Sequence, residues 1–158
     1  MTNCNFVNNS ATGEGSLGGA IRMNSGTVSN CNFTDNDAYY GGAVCFLNTG
    51  SVTNCNFTGN SAQYGGAVYF YDEGSVPNCN FINNPASGWG GAIRFSKTGA
   101  VTNCNFTDNS AYRGGAVYLS STGNVTNCNF INNKATSTNS WGGAVFFNRE
   151  GTVTNCNL

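Results

Sequence analysis

Gly50-Ser51-Val52-Thr53-Asn54-Cys55-Asn56-Phe57-Thr58-Gly59-Asn60-Ser61-Ala62-Gln63-Tyr64-Gly65-Gly66-Ala67-Val68-Tyr69-Phe70 is one copy of a unit that fills the chain. Asn-Cys-Asn followed by Phe or Leu occurs seven times, with its thiols at Cys4, Cys31, Cys55, Cys79, Cys104, Cys128 and Cys156. Gly-Gly-Ala followed by Val or Ile occurs six times, beginning at Gly18, Gly41, Gly65, Gly90, Gly114 and Gly142. Two separate markers thus keep one period of about 24 residues, and such a period marks a solenoid whose repeats bury their apolar side only by stacking on one another.

Alternation inside the unit shows which residues face in. Val52 and Asn54 share one parity and Cys55 and Phe57 the other, so the chain bends between Asn54 and Cys55. Asparagine tolerates the left-handed region, and stacked asparagines bond amide to amide from coil to coil. Asn30, Asn54, Asn78, Asn103 and Asn127 form that expected ladder, next to a column of Cys31, Cys55, Cys79, Cys104 and Cys128. Asn60 and its equivalents mark a second corner, and Gly65-Gly66 a third, after which Val68 and Phe70 face in. The columns through Val52, Cys55, Phe57, Ala62, Val68 and Phe70 make six apolar stacks. Ala67, the same in every copy, has no role in this pattern.

Short strands, asparagine corners and no helix-period segment predict an all-β chain: a single-stranded right-handed parallel β-helix of about six coils. Residues 1–158 read as one domain, a segment of a longer repeat array. Neighbouring strands lie about 4.8 Å apart, so six coils make a rod of roughly 29 Å. The right hand follows from the twist preference of parallel crossovers.

The paired markers Gly-Gly-Ala-Ile/Val and Phe-x-x-Asn, as in Phe57-Thr58-Gly59-Asn60, resemble the repeats of chlamydial polymorphic outer membrane proteins. The regular Asn-Cys-Asn-Phe-Thr-x-Asn-x-Ala…Gly-Gly-Ala-Val array is similar to adhesin-like surface proteins of methanogenic archaea, and the resemblance covers essentially the whole chain. It implies an extracellular or cell-surface β-helix that adheres or self-associates, with no catalytic residues to carry over. Pro77 in place of the usual Thr and Leu158 in place of Phe depart from the pattern. Pro77 needs only a strand-end position without a ladder donor.

Six Lys and Arg against seven Asp and Glu, net charge -1, leave no basic footprint for nucleic acid. No window approaches the roughly 18 apolar residues of a bilayer span, so no membrane insertion of this segment is expected, and Met1 leads straight into repeat sequence without a signal peptide. The column cysteines read as a stack of buried thiols. Parallel in-register residues point their Cβ atoms the same way, which is poor for disulfides. Zinc is disfavoured by the absence of histidine and of any CxxC. Cys45, in an outward column, is the expected reactive thiol.

Polysaccharide-cleaving sites need a carboxylate pair about 5 to 9.5 Å apart. Asp35 and Asp108 share a column but stand three coils, about 14 Å, apart. Glu14, Asp37, Asp72, Glu73 and Glu150 form no better pair. The expectation is therefore no enzyme, no catalytic residue, no metal and no cofactor.

Flanking the Gly-Gly pair are two outward columns. Tyr40, Tyr64, Trp89, Arg113 and Trp141 follow Leu17 in one; Arg22, Cys45, Tyr69, Arg94, Tyr118 and Phe146 make the other. This aromatic and arginine strip is the expected contact face, suited to a surface protein or glycan. Stacking of these side chains on one another between coils is the competing reading. Coils one and six carry extra residues around Thr12 to Leu17 and Thr136 to Trp141, which should bulge from one edge as contact loops. The first expectation for function is a non-enzymatic adhesin-like or structural segment. The alternatives are a fibre subunit stacking on itself end to end through uncapped coils, and a polysaccharide-binding or polysaccharide-active β-helix.

Overall fold

The computed structural model describes residues 1–139 and 141–158; Ser140, inside the coil-six loop expected to make contacts, lies outside them. In the third coil the strands are Gly50–Thr53, Asn56–Thr58, Ser61–Tyr64 and Val68–Phe70. Three sheets run the length of the rod with six parallel strands each. The valine sheet runs from Gly26–Ser29 to Gly151–Thr154, the phenylalanine sheet from Asn5–Val7 to Asn129–Ile131, and the third from Ile21–Met23 to Val145–Phe147. Like residues pair with like, Phe33 with Phe57 and Val68 with Ile93, so every column in the sequence is a stack in space.

A fourth sheet, through Ser61–Tyr64, was not expected from the alternation. It holds three strands from Asp37–Tyr40 to Ala86–Trp89, then breaks before Ser110–Ala111 and Lys134–Ala135. The break falls where Ser87-Gly88 replace the single Gln63: the Gly88 carbonyl accepts from both Tyr112 N–H and Arg113 N–H, a bulge that throws the ladder out of register.

Three corners share one construction. A left-handed residue turns the chain, and the N–H of the next residue must find a new acceptor. At the first, Asn54 has φ 53° and Cys55 N–H bonds the Sγ of Cys79 at 3.4 Å. At the second, Gly59 has φ 66° and Asn60 N–H bonds the side-chain Oδ1 of Asn84 at 3.0 Å. Asp35 and Asp108 occupy that same left-handed position at φ 52° and 55°, so they serve the turn. At the third, Gly65 has φ 64° and Gly66 N–H reaches the Gly90 carbonyl, 3.1 Å. A Cβ on Gly66 would collide with the Gly91 carbonyl oxygen, which accounts for the second glycine of the pair.

The interior is filled by five of the six expected stacks and one more; the Ala62 column is buried but lies outside this core. Phe33, Phe57, Phe81 and Phe106 are fully buried, and Phe33 and Phe57 lie 4.8 Å apart with planes 3° apart. Ala67 is also fully buried. Its N–H and that of Val68 both donate to the Ala92 carbonyl at 2.9 Å, a bulge that turns two successive side chains inward. A small side chain packed in the core beside Val68 supplies the reason the sequence pattern lacked.

Candidate functional site

The outward strip is two layers deep. The third sheet carries Arg22, Cys45, Tyr69, Arg94, Tyr118 and Phe146 on its outer face in one register. The preceding column, Tyr40, Tyr64 and Trp89, continues as Arg113 and Trp141. Because the left-handed glycine between the columns reverses the chain, the second column folds down over the first. Tyr40 stacks against Tyr64 at 5.3 Å, Trp89 against Tyr118 at 5.2 Å, and Tyr118 against Phe146 at 5.1 Å.

Parity placed these side chains outside the solenoid, and they are there, but outside is not the same as exposed. Tyr69 and Tyr118 are 3% and 4% exposed, so as contact residues they are corrected: they floor the ridge, with the Tyr69 hydroxyl bonded to Ser96 Oγ at 2.7 Å. Cys45 is fully buried, and burial pushes its thiol from its ordinary 9.0 up to about 12 even with Arg22 pulling the other way. The expectation of a reactive thiol at Cys45 is therefore wrong. Half-exposed thiols occur instead at Cys4 and Cys156, at the two ends of the column. Burial also raises the thiol of Cys31.

The crest consists of Trp141, 45% exposed, with half-buried Tyr40, Tyr64, Trp89 and Arg113, and with Arg22 exposed at the first coil. Tyr112, 43% exposed, and Tyr71, 60% exposed, extend it. Sequence reading missed both, although Tyr112 sits beside Arg113 in the strip; Tyr71 follows a strand end, where alternation has lapsed. At the first coils Leu17, Tyr40, Leu47, Tyr69 and Tyr71 close an apolar slot of about 180 Å³. The coil-one loop docks onto the neighbouring coil: Ser16 Oγ accepts from Tyr39 N–H at 2.9 Å and Ser16 O from Tyr40 N–H at 2.9 Å.

Two arginines are set into this aromatic stack. Arg94 Cζ lies 4.6 Å from the centre of the Tyr64 ring and 4.7 Å from that of Trp89, and the two rings are tilted by 60° around it. Arg113 Cζ lies 4.0 Å over Trp141. Contacts of this kind are each worth roughly 0.5–2 kcal/mol, the more as water is excluded.

The asparagine ladder expected at the first corner is present in two stretches, one through Asn30 and Asn54 and one through Asn78, Asn103 and Asn127. Asn54 donates to Asn30, Asn103 to Asn78 and Asn127 to Asn103, each at 3.2 Å on the exposed corner. Outward Asn56 donates to Asn32 at 2.9 Å. The buried ladder adds bonds to the main chain: Asn60 Nδ2 donates both to Asn84 Oδ1 at 3.0 Å and to the Phe33 carbonyl at 3.1 Å.

Of the acids, Asp72 is paired with Lys97 at 3.0 Å and Asp37 accepts from Ser61 Oγ at 2.6 Å. Among the described residues no group of three or more His, Cys, Asp or Glu is arranged to hold a metal ion. Over residues 20–158 the chain matches the family model described as the right-handed β-helix region. No curated protein and no solved structure matches it.

Proposed function

The chain belongs to the right-handed β-helix family, and from that premise we propose that it is a non-catalytic, adhesin-like segment, cell-surface or extracellular, that makes contacts through its aromatic and arginine ridge. The observation that carries this reading is the second layer itself. The solenoid core closes without it, yet the chain builds an ordered outer stack of Tyr, Trp and Arg. These residue types dominate binding energy at interfaces when they are held rigid and partly desolvated. The absence of catalysis is supported by the acids, four of which have structural places: Asp35 and Asp108 in left-handed turns, Asp37 on Ser61 and Asp72 on Lys97.

Fluorescently labelled chain, titrated onto a panel of intact cells and immobilised surface proteins and glycans, tests the proposal. Saturable binding is expected, weakened about tenfold or more by Trp141→Ala combined with Arg113→Ala, as hot-spot truncations behave. Lack of saturable binding on every surface, or binding indifferent to the double substitution, rejects it.

A further inference from the structure

Three of the chain's six cationic side chains, Arg22, Arg94 and Arg113, stand on this one ridge although the net charge is -1. Among the described residues the ion pair present is Lys97 with Asp72, on another side chain pair altogether, and none of the three guanidiniums donates a hydrogen bond to a protein acceptor. The Nε atoms of Arg94 and Arg113 are buried without any partner. Buried donors are nearly always satisfied, and a guanidinium carries five of them and never loses its charge.

The rings around these cations cover guanidinium faces, not the N–H groups in the guanidinium plane. Ring stacking also decides what the crest can offer. Tyr40 with Tyr64, Trp89 with Tyr118, and Trp141 with Phe146 lie within 21°, 16° and 24° of parallel, so their faces are turned to one another along the rod. What remains for a partner is ring edge, the electropositive part of an aromatic group, together with the guanidinium Nη groups, since the buried Nε atoms are out of a partner's reach.

We infer that the ridge docks an acidic protein segment, carboxylate side chains of Asp or Glu meeting Arg94 and Arg113 with the ring edges between them. The inference rests on the ridge being the contact face, as proposed above. A polysaccharide is the poorer fit, because sugars gain most from open ring faces and those of the rings beside Arg94 and Arg113 are taken up by stacking, with Tyr71 and Tyr112 standing outside the stack. Backbone addition of a peptide is not the mode either, since the interior strands of the third sheet are paired on both sides.

Fluorescence anisotropy with labelled short poly-L-glutamate, beside labelled polygalacturonate as an acidic polysaccharide, tests this on the whole chain. Saturable binding of poly-L-glutamate is expected. It should weaken steeply with added salt, fall about tenfold with Arg113→Gln, fall less with Arg113→Lys, and be unchanged by Asn56→Ala on the outward side of the phenylalanine sheet. Unchanged thermal melts establish that the variants fold. Failure of poly-L-glutamate to bind, equal or tighter binding of polygalacturonate, or indifference to Arg113→Gln overturns the inference. If the acidic peptide fails while cell-surface binding persists and is lost with Trp141→Ala, the acidic partner is wrong and the ridge as contact face stands.

Discussion

Asn60 and Asn54 sit six residues apart in the same coil, each in a column of asparagines that repeats along the rod, and they have different physical tasks. Asn54 is exposed and left-handed, and its one side-chain bond crosses to Asn30 at 3.2 Å. Asn60 is fully buried and its side chain satisfies neighbours on both sides. Its Oδ1 accepts from the backbone N–H and the Nδ2 of Asn36, and its Nδ2 serves Asn84 Oδ1 and the Phe33 carbonyl. The exposed column is chosen for backbone conformation. The buried column is chosen for hydrogen bonding, because behind a left-handed corner an inward N–H has no strand partner.

The largest effect should come from breaking the buried column. Asn60→Ala removes the partner of Asn36 N–H, one of the two acceptors of Asn36 Nδ2, the side-chain donor to the Phe33 carbonyl and half the bonds of Asn84 Oδ1, all away from water. Each buried group left unpaired costs about 1–3 kcal/mol, so a loss of about 3–5 kcal/mol in urea unfolding is expected after partial relaxation. Asn60→Asp sharpens the point. It keeps shape and acceptors but no longer donates to Phe33 O or Asn84 Oδ1, so it should destabilise at neutral pH as well. A loss below about 1 kcal/mol for either variant would mean that water enters the corner and replaces the ladder.

Breaking the exposed column should cost less and depend on the replacement. Asn54→Ala keeps a Cβ in the left-handed region but loses the short polar side chain that makes asparagine tolerate it, at up to about 1–2 kcal/mol, whereas Asn54→Gly should be nearly neutral because glycine takes that conformation freely. Equal losses for Ala and Gly, read from the same unfolding curves, would show that the amide bond to Asn30 matters and the backbone conformation does not.

This contrast also marks how far the sequence could be read. The period, five of the six apolar columns and the left-handed asparagines were legible, because each depends on residue type and spacing alone. The exposed ladder was foreseen at Asn54, but the stronger one at Asn60 was read only as a corner, since burial behind a turn leaves no mark in alternation. Ala67 was opaque for a related reason: a bulge puts Ala67 and Val68 on one face, and parity assumes that neighbours alternate. At the candidate site the residues of the strip were identified but not their depth. Parity describes a side chain relative to its own strand, and Cys45, Tyr69 and Tyr118 are covered by the preceding column folding back over a glycine turn. Only the chain path shows that.

Asn56 separates hydrogen bonding from both burial and backbone conformation. It lies on a regular strand, exposed, donating to Asn32 at 2.9 Å and accepting from Asn80 at 2.8 Å, bonds as short as those of the buried column. Water competes for the same groups in the unfolded and folded chain, and Asn56→Ala leaves the neighbouring amides free to hydrate. A change within about 0.5 kcal/mol is therefore expected, the size usual for surface substitutions. If Asn56→Ala instead approached the loss seen for Asn60→Ala, the outward row would be a cooperative part of the fold. Environment would then no longer explain why identical side chains with similar bond lengths contribute so differently.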